Sequence, residues 1–287
     1  MPTAFPDIDV LEDVLDVAAR APSAGNAQPW RWHVDRGGIR LLADWTRSLG
    51  DSDDDRRDVI LSCGAVLHHC AVALAAAGWS SRIQRTPDDT VLAALELHRS
   101  DPGEGTRELA AAITGRRADR RSYHGALPAG TVELLVLRAE RFGVRLAVVP
   151  SARWARLGDA EFALRYGDPA PGHAGDDAVM LVVATETDSD AARLRAGEAI
   201  SDLTLAAASL GLASCPLTNP LKDPRNRLAL TCEVFDGEAH PQALIKLGPR
   251  PDGELPPAED RRSVAETTTF DLDRDRSVVD DVEPFAP

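Results

Sequence analysis

The first forty residues change hydrophobic period once, from that of a helix to that of a strand. Ile8, Leu11, Val14, Leu15 and Ala18 recur at helical spacing, with Asp9 as the candidate N-cap and Glu12 three residues on. Pro22 ends that helix. Trp30, Trp32 and Val34 then alternate with Arg31, His33 and Asp35, the period of a strand with one buried face. Gly37 and Gly38 turn the chain into a second arm over Ile39–Leu42, which predicts a hairpin. The apolar stretch "VILSCGAVLHHCAVALAAAGW" (59–79) predicts a long helix reaching Gly78, and the apolar run Val91–Leu97 follows it.

From about residue 108 the order restarts. Helical spacing covers 108–116 and 131–142, "VRLAVV" (144–149) reads as a strand, and a helix is expected over 152–166. "AVMLVVAT" (178–185) predicts a fully buried strand, 196–212 a helix and "ALIKL" (243–247) a strand. "LAAAGWSS" (74–81) and "LAAASLGLAS" (205–214) each end an Ala-rich helix on a glycine with a short polar exit. With the order around each copy, this points to two similar half-folds, 1–107 and 108–270. The remainder, 271–287, is acidic and unpatterned, as expected of an extended arm or disorder.

The halves differ where chemistry is expected. The first inserts "PSAGNAQP" between its first helix and strand, whereas the second passes through Gly143 directly into its strand. The second opens with "TGRRADRRSY" (114–123), which nothing in the first half matches. Each half carries a piece the other lacks, which suits one composite site between them. Arg116, Arg117, Arg120 and Arg121 stand at a candidate helix exit with Asp119 among them. Guanidinium forks there would bind a phosphate dianion bidentately; the other reading is a solvated basic turn paired with neighbouring acids. Arg261 and Arg262 follow the Pro-rich "RPDGELPPAED" and are candidates to close on the same anion.

Composition narrows the classes. A chain of 287 residues with 44% hydrophobic residues can bury a sizeable core, in one large or two smaller domains. Its net charge of −14 argues against nucleic-acid binding, though a local arginine cluster can still hold one small anion. Residues 59–79 are long enough to span a membrane. His68 and His69 in their middle, and the lack of a second span, favour a buried core helix and no membrane. Adjacent on a helix, these histidines point to different faces and cannot chelate as an i, i+4 pair. Cys63, Cys70, Cys215 and Cys232 form no CxxC and no zinc spacing, so buried small hydrophobes are expected and no metal. The N-terminus has no basic-then-apolar leader, from which a cytoplasmic location is expected. No GxGxxG follows a strand, so no nicotinamide-binding Rossmann domain is read.

Taken together, "APSAGNAQPWRW", "RRADRR", "AAASLGLASCPLTNP" and "LIKLG…EDRRSV" resemble successive landmarks of the FMN-dependent nitroreductase family. The chain order is most similar to its Acg-type branch, the mycobacterial dormancy-associated NAD(P)H nitroreductases. The resemblance covers about residues 8–270. It implies an α+β, nitroreductase-like fold in which two half-folds are fused as an intramolecular pseudo-dimer with one retained flavin site. Such a chain is compatible with a monomer, because the dimer-like interface is internal.

The resemblance also implies roles. Pro22, Ser23, Ala24 and Asn26 would lie along the isoalloxazine ring, with Gln28 and Trp30 anchoring the loop. Arg116, Arg117 and Arg120, with Arg261 and Arg262, would bind the ribityl phosphate. Pro216, Leu217, Thr218 and Asn219 would pass the N5 edge. The implied activity moves electrons from NAD(P)H through FMN to a small organic acceptor of nitroaromatic or quinone type, and needs no catalytic side chain. The alternative within the same branch is an FMN-sequestering protein with little turnover. Ala118 departs from the Ser or Thr expected among the arginines, and Thr218 and Asn219 from the Glu and Gly of many relatives. The segment 165–177, with His173 as a candidate substrate contact, is shorter than the lid that Acg-type proteins often carry.

Overall fold

The computed structural model describes residues 5–85, 90–157, 161–164 and 176–272. The first unit begins with α1 (Ile8–Ala18), which buries Leu11, Val14, Leu15 and Ala18. Asp7, not Asp9, occupies its N-cap position, and Asp9 lies in the first turn. The hairpin β1 (Trp30–Asp35) and β2 (Gly38–Ala43) follows, with the Asp35 carboxylate accepting from Gly37 N across the turn. The long helix α2 (Asp53–Ala76) starts earlier than its apolar run, because Ser52 and Asp55 form a reciprocal capping box. Strands β3 (Trp79–Arg85) and β4 (Val91–Arg99) complete the unit.

Helix α3 (Glu104–Gly115) leads into the second unit, which repeats the same winding. Helix α4 (Thr131–Glu140) precedes β5 (Arg145–Val149). After a small hairpin, β6 (Trp154–Leu157) and β7 (Glu161–Leu164), come β8 (Val179–Thr185) and the long α5 (Asp190–Ser209). Strand β9 (Leu212–Leu217), helix α6 (Pro224–Phe235) and β10 (His240–Pro249) follow. The first sheet has the order β1-β2-β4-β3 and the second β5-β8-β10-β9, antiparallel throughout. Both units therefore run helix, two strands, long helix, two strands, with the last two strands in reversed sheet order. One strand breaks the parallel: β11 (Thr268–Asp271) returns to pair with β1, parallel, at the edge of the first sheet. The stretch assigned to the second half thus ends in the first half's sheet.

The helix expected over 152–166 is instead the β6–β7 hairpin. Phe162 and Leu164, two apart, share a buried face and pack with Trp154 against Met180 and Val182 of β8, which favours strand spacing over helical spacing. The tail from 273 onward and the segment 165–175, including His173, lie outside the described residues.

Helices α2 and α5 pack face to face between the sheets. A Cβ on Gly64 would meet the Leu194 carbonyl oxygen at 2.1 Å, and one on Gly197 the Leu61 carbonyl oxygen at 2.1 Å. Both helices end on left-handed glycines, Gly78 (φ 85°) and Gly211 (φ 76°), at the two exits that look alike in sequence. The same interval separates Gly64 from Gly197 and Gly78 from Gly211. Helix α2 is apolar enough to cross a membrane, but the residues of its most apolar window are 83% buried within this fold. His68 and His69 are buried at the helix–helix contact, each with Nδ1 2.7 Å from the Ser201 hydroxyl. His69 Nδ1 also lies 3.2 Å from Ala65 O, so it carries the proton, and the Ser201 hydroxyl donates to His68 Nδ1. That leaves His68 Nε2 protonated and facing Asp202, 3.4 Å away.

Candidate functional site

The loop between α1 and β1 is held in a conformation few residues tolerate. Gly25, Asn26 and Gln28 all have left-handed φ, at 56°, 54° and 50°. Local bonds hold this shape: Ser23 Oγ accepts from Gln28 N (3.1 Å), and Ala24 N donates to Ser62 Oγ on α2 (3.3 Å). The far side is stitched to residues 260–262. Asn26 Nδ2 and Gln28 Nε2 donate to Asp260 O, Arg261 donates to Asn26 Oδ1 (2.6 Å), and Arg262 N donates to Gln28 Oε1 (2.9 Å). Asn26 and Gln28 thus shape and anchor the loop, while Pro22, Ser23 and Ala24 face open space.

That space is a cleft of about 610 Å³ between the two units. Its other walls are α2 (Asp58, Leu61, Ser62, Ala65), the end of β9 and its exit (Pro216, Leu217, Thr218, Asn219), and β7 (Phe162, Ala163). The volume falls within the roughly 300–1,000 Å³ of small-molecule and cofactor sites.

A second cleft, of about 590 Å³, adjoins it through Arg120, which lines both. Arg116, Arg117 and Arg261 line this one, opposite the Pro-rich strip 254–258. Arg116 is buried, donates through Nη2 to Arg20 O (3.1 Å), and has no partner for Nε and Nη1 among the described residues. The Nε groups of Arg117 and Arg261 are likewise unpartnered there. Burial, then the neighbouring Arg261, pushes the Arg116 pKa down to about 10. Converging cations with spare donors can hold an anion, and the carboxylate the protein sets beside them is Glu259, 3.3 Å from Arg261.

The arginine loop is fixed from behind. Lys246 of β10, fully buried, pairs with Asp176 (2.8 Å), donates to Arg121 O (2.6 Å) and lies 3.8 Å from the centre of the Tyr123 ring. The Tyr123 hydroxyl donates to Asp119 O, and its ring presses on Gly248, where a Cβ would clash at 2.5 Å. Ala118 bridges to Ser214, and Asp119 N donates to Ser214 O (3.1 Å). Arg121 is turned away from ligand duty by its ion pair with Asp119 (2.7 Å).

The structure brings Pro22, Ser23, Ala24, Pro216, Leu217 and Thr218 to one cleft and Arg116, Arg117 and Arg261 to its neighbour, with Arg120 at the junction. It does not bring Arg262 there. That guanidinium donates to Gln28 O (3.1 Å) and Glu266 O (3.0 Å), making it an anchor of the loop. Sequence reasoning missed Asp58, Ser62 and Phe162 as wall residues. Asp58 closes the charged opening of α2 and Ser62 lies one turn on, within the apolar run, a signal the sequence did offer.

No family model matches the chain. It is 37% identical over 323 residues to the Mycobacterium tuberculosis protein named "Putative NAD(P)H nitroreductase Rv3131", with 94% of each chain covered. It is 30% identical over 322 residues to that organism's "Putative NAD(P)H nitroreductase acg", covering 93% of this chain and 97% of the relative. A crystal structure of a "putative nitroreductase" from Anabaena variabilis superposes with a TM-score of 0.55 over 86% of this chain and 90% of that one, at 14% identity. That likeness speaks to the fold alone.

Proposed function

The chain belongs to the nitroreductase family, and from that premise we propose that it binds one FMN per chain and carries electrons from NAD(P)H to a small organic acceptor. The observation that carries the reading is Arg116: a buried cation whose Nε and Nη1 are unpartnered among the described residues, beside a cleft of cofactor size. Arg116, Arg117, Arg120 and Arg261 would hold the phosphate. Pro22, Ser23 and Ala24 would lie along the ring, and Pro216, Leu217 and Thr218 along its reactive edge. The cofactor, when bound, supplies hydride exchange between the nicotinamide and the acceptor. The protein orients it, and the apolar walls Leu61, Ala65, Phe162 and Ile200 limit the water that reaches it.

Reconstitution with FMN followed by anaerobic mixing with NADH or NADPH tests this reading. One flavin per chain that bleaches on mixing supports it. Failure to retain flavin removes it, and a flavin that is retained but never bleaches identifies a flavin store.

A further inference from the structure

One wall of the larger cleft carries a buried carboxyl group whose oxygens lack a well-formed hydrogen bond among the described residues. Asp58 stands on the second turn of α2, its side chain 3% exposed. Ser62, one turn further on, receives Ala24 N and donates to the Asp58 carbonyl, so this stretch of α2 supports the ring loop. Lys222 Nζ lies 3.3 Å from Asp58 Oδ2 but directs its hydrogen bond to Asp55 (2.7 Å). Thr218 lies beside the carboxyl from the β9 exit. Both neighbours favour the ionised form, but neither completes a hydrogen bond of full geometry, so both Asp58 oxygens are left without one among the described residues.

A buried carboxylate lacking donors is expensive, whereas a carboxylic acid in the same place is not. Burial raises the Asp58 pKa above its usual range, although Thr218, Lys222 and Arg57 pull the other way. The other charges of the neighbourhood are engaged with one another. Arg57 and Arg227 pair with Asp54, and Asp55 takes Lys222, while Asp223 caps α6 through Arg225 N.

We propose that Asp58 is the acid of this cleft: it gives its proton to the oxygen of the acceptor reduced there, and Lys222 steadies the carboxylate left behind. The assignment rests on the FMN reading above and narrows the acceptor to compounds whose reduction places charge on oxygen, such as quinones. A quinone becomes a hydroquinone by gaining one hydride, delivered from the reduced flavin, and one proton. The Asp58 O–H bond breaks as the new O–H bond forms on the acceptor. The flavin is left oxidised, and water restores the proton to Asp58.

The experiment compares wild type with Asp58→Asn, both loaded with FMN. The variant is expected to retain flavin and to be bleached by the nicotinamide as the wild type is, yet to be reoxidised by benzoquinone about 10²-fold more slowly. Infrared difference spectra of the flavin-free proteins, wild type minus Asp58→Asn, give a readout without turnover. They should show a protonated-carboxyl band that persists above the pH range of an ordinary aspartate, and Lys222→Gln should move its midpoint higher still. Equal reoxidation rates, or a band that titrates as an ordinary aspartate, overturn the proposal while leaving the FMN reading intact. A wild type that neither holds flavin nor bleaches overturns both, and does so without reference to any variant.

Discussion

Gly64 of α2 and Gly197 of α5 meet at the closest approach of the two long helices, each beneath a backbone carbonyl of the other's helix, Leu194 O and Leu61 O. Backbone atoms cannot swing aside as a side chain can, so this crossing admits no Cβ on either side.

Gly64→Ala and Gly197→Ala are therefore expected to destabilise the protein by about 1–3 kcal/mol, despite alanine's better helix propensity. Gly105→Ala on α3, where a Cβ meets nothing within 4 Å, serves as the control and should cost nothing. Urea unfolding of the three variants measures the contrast.

Arg116 makes opposite demands on the empty and loaded protein. Arg116→Met should leave the flavin-free protein at least as stable, because a buried cation with two nitrogens unpartnered among the described residues is removed. The same change should weaken FMN binding about 10- to 100-fold, since charge-assisted hydrogen bonds to the phosphate are lost. Thermal melting and fluorescence titration report the two effects separately.

Asp58 gives the stability curve a defined slope. Its folded-state pKa is raised, so its contribution is fully present below the unfolded value of 3.8 and is lost as pH rises through the folded one. Asp58→Asn should thus melt at the wild-type temperature near about pH 3 and above it near about pH 8. A gain that shrinks with rising pH would contradict the sign.

Asn26 serves the loop through both its backbone and its amide. Asn26→Gly keeps the left-handed φ and loses only the bonds to Asp260 and Arg261, whereas Asn26→Ala loses both. The alanine variant should be the less stable of the two by about 1 kcal/mol. In both, hydrogen exchange should rise across 259–262.

The legible parts of this chain are those whose signal is local. The loop at 22–28 announces itself by proline, glycine and amides packed between a helical and a strand period, and the arginines by their density. The repeat is visible because both long helices need a left-handed glycine at their exits, Gly78 and Gly211. Strands β9 and β11 escape sequence reading because their partners lie far along the chain, and short strands gain their stability from those partners; β3 escapes it because it is a polar edge strand that buries only Trp79. Helix α6 lacks a clean apolar stripe, burying only Leu230 and Phe235, so its period is faint. The hairpin at 154–164 was misread because Trp154, Phe162 and Leu164 satisfy a core only once β8 is beside them. Arg262 shows the same limit within the site: adjacent to Arg261 in sequence, it grips the loop backbone, whereas Arg261 reaches the Asn26 amide.

The closing strand has a mechanical meaning. Because β11 is zipped alongside β1, the stretch just before it is drawn across the junction and held from both ends. Asp260, Arg261 and Arg262 sit in that taut stretch and grasp Asn26 and Gln28. The 22–28 loop is thus tied at both margins to one strand, β1, which it enters directly and with which β11 pairs. Chain order makes the two units sequential, but the strap makes them a closed loop. A cut between them would leave the first unit's sheet missing an edge and its 22–28 loop missing its clasp.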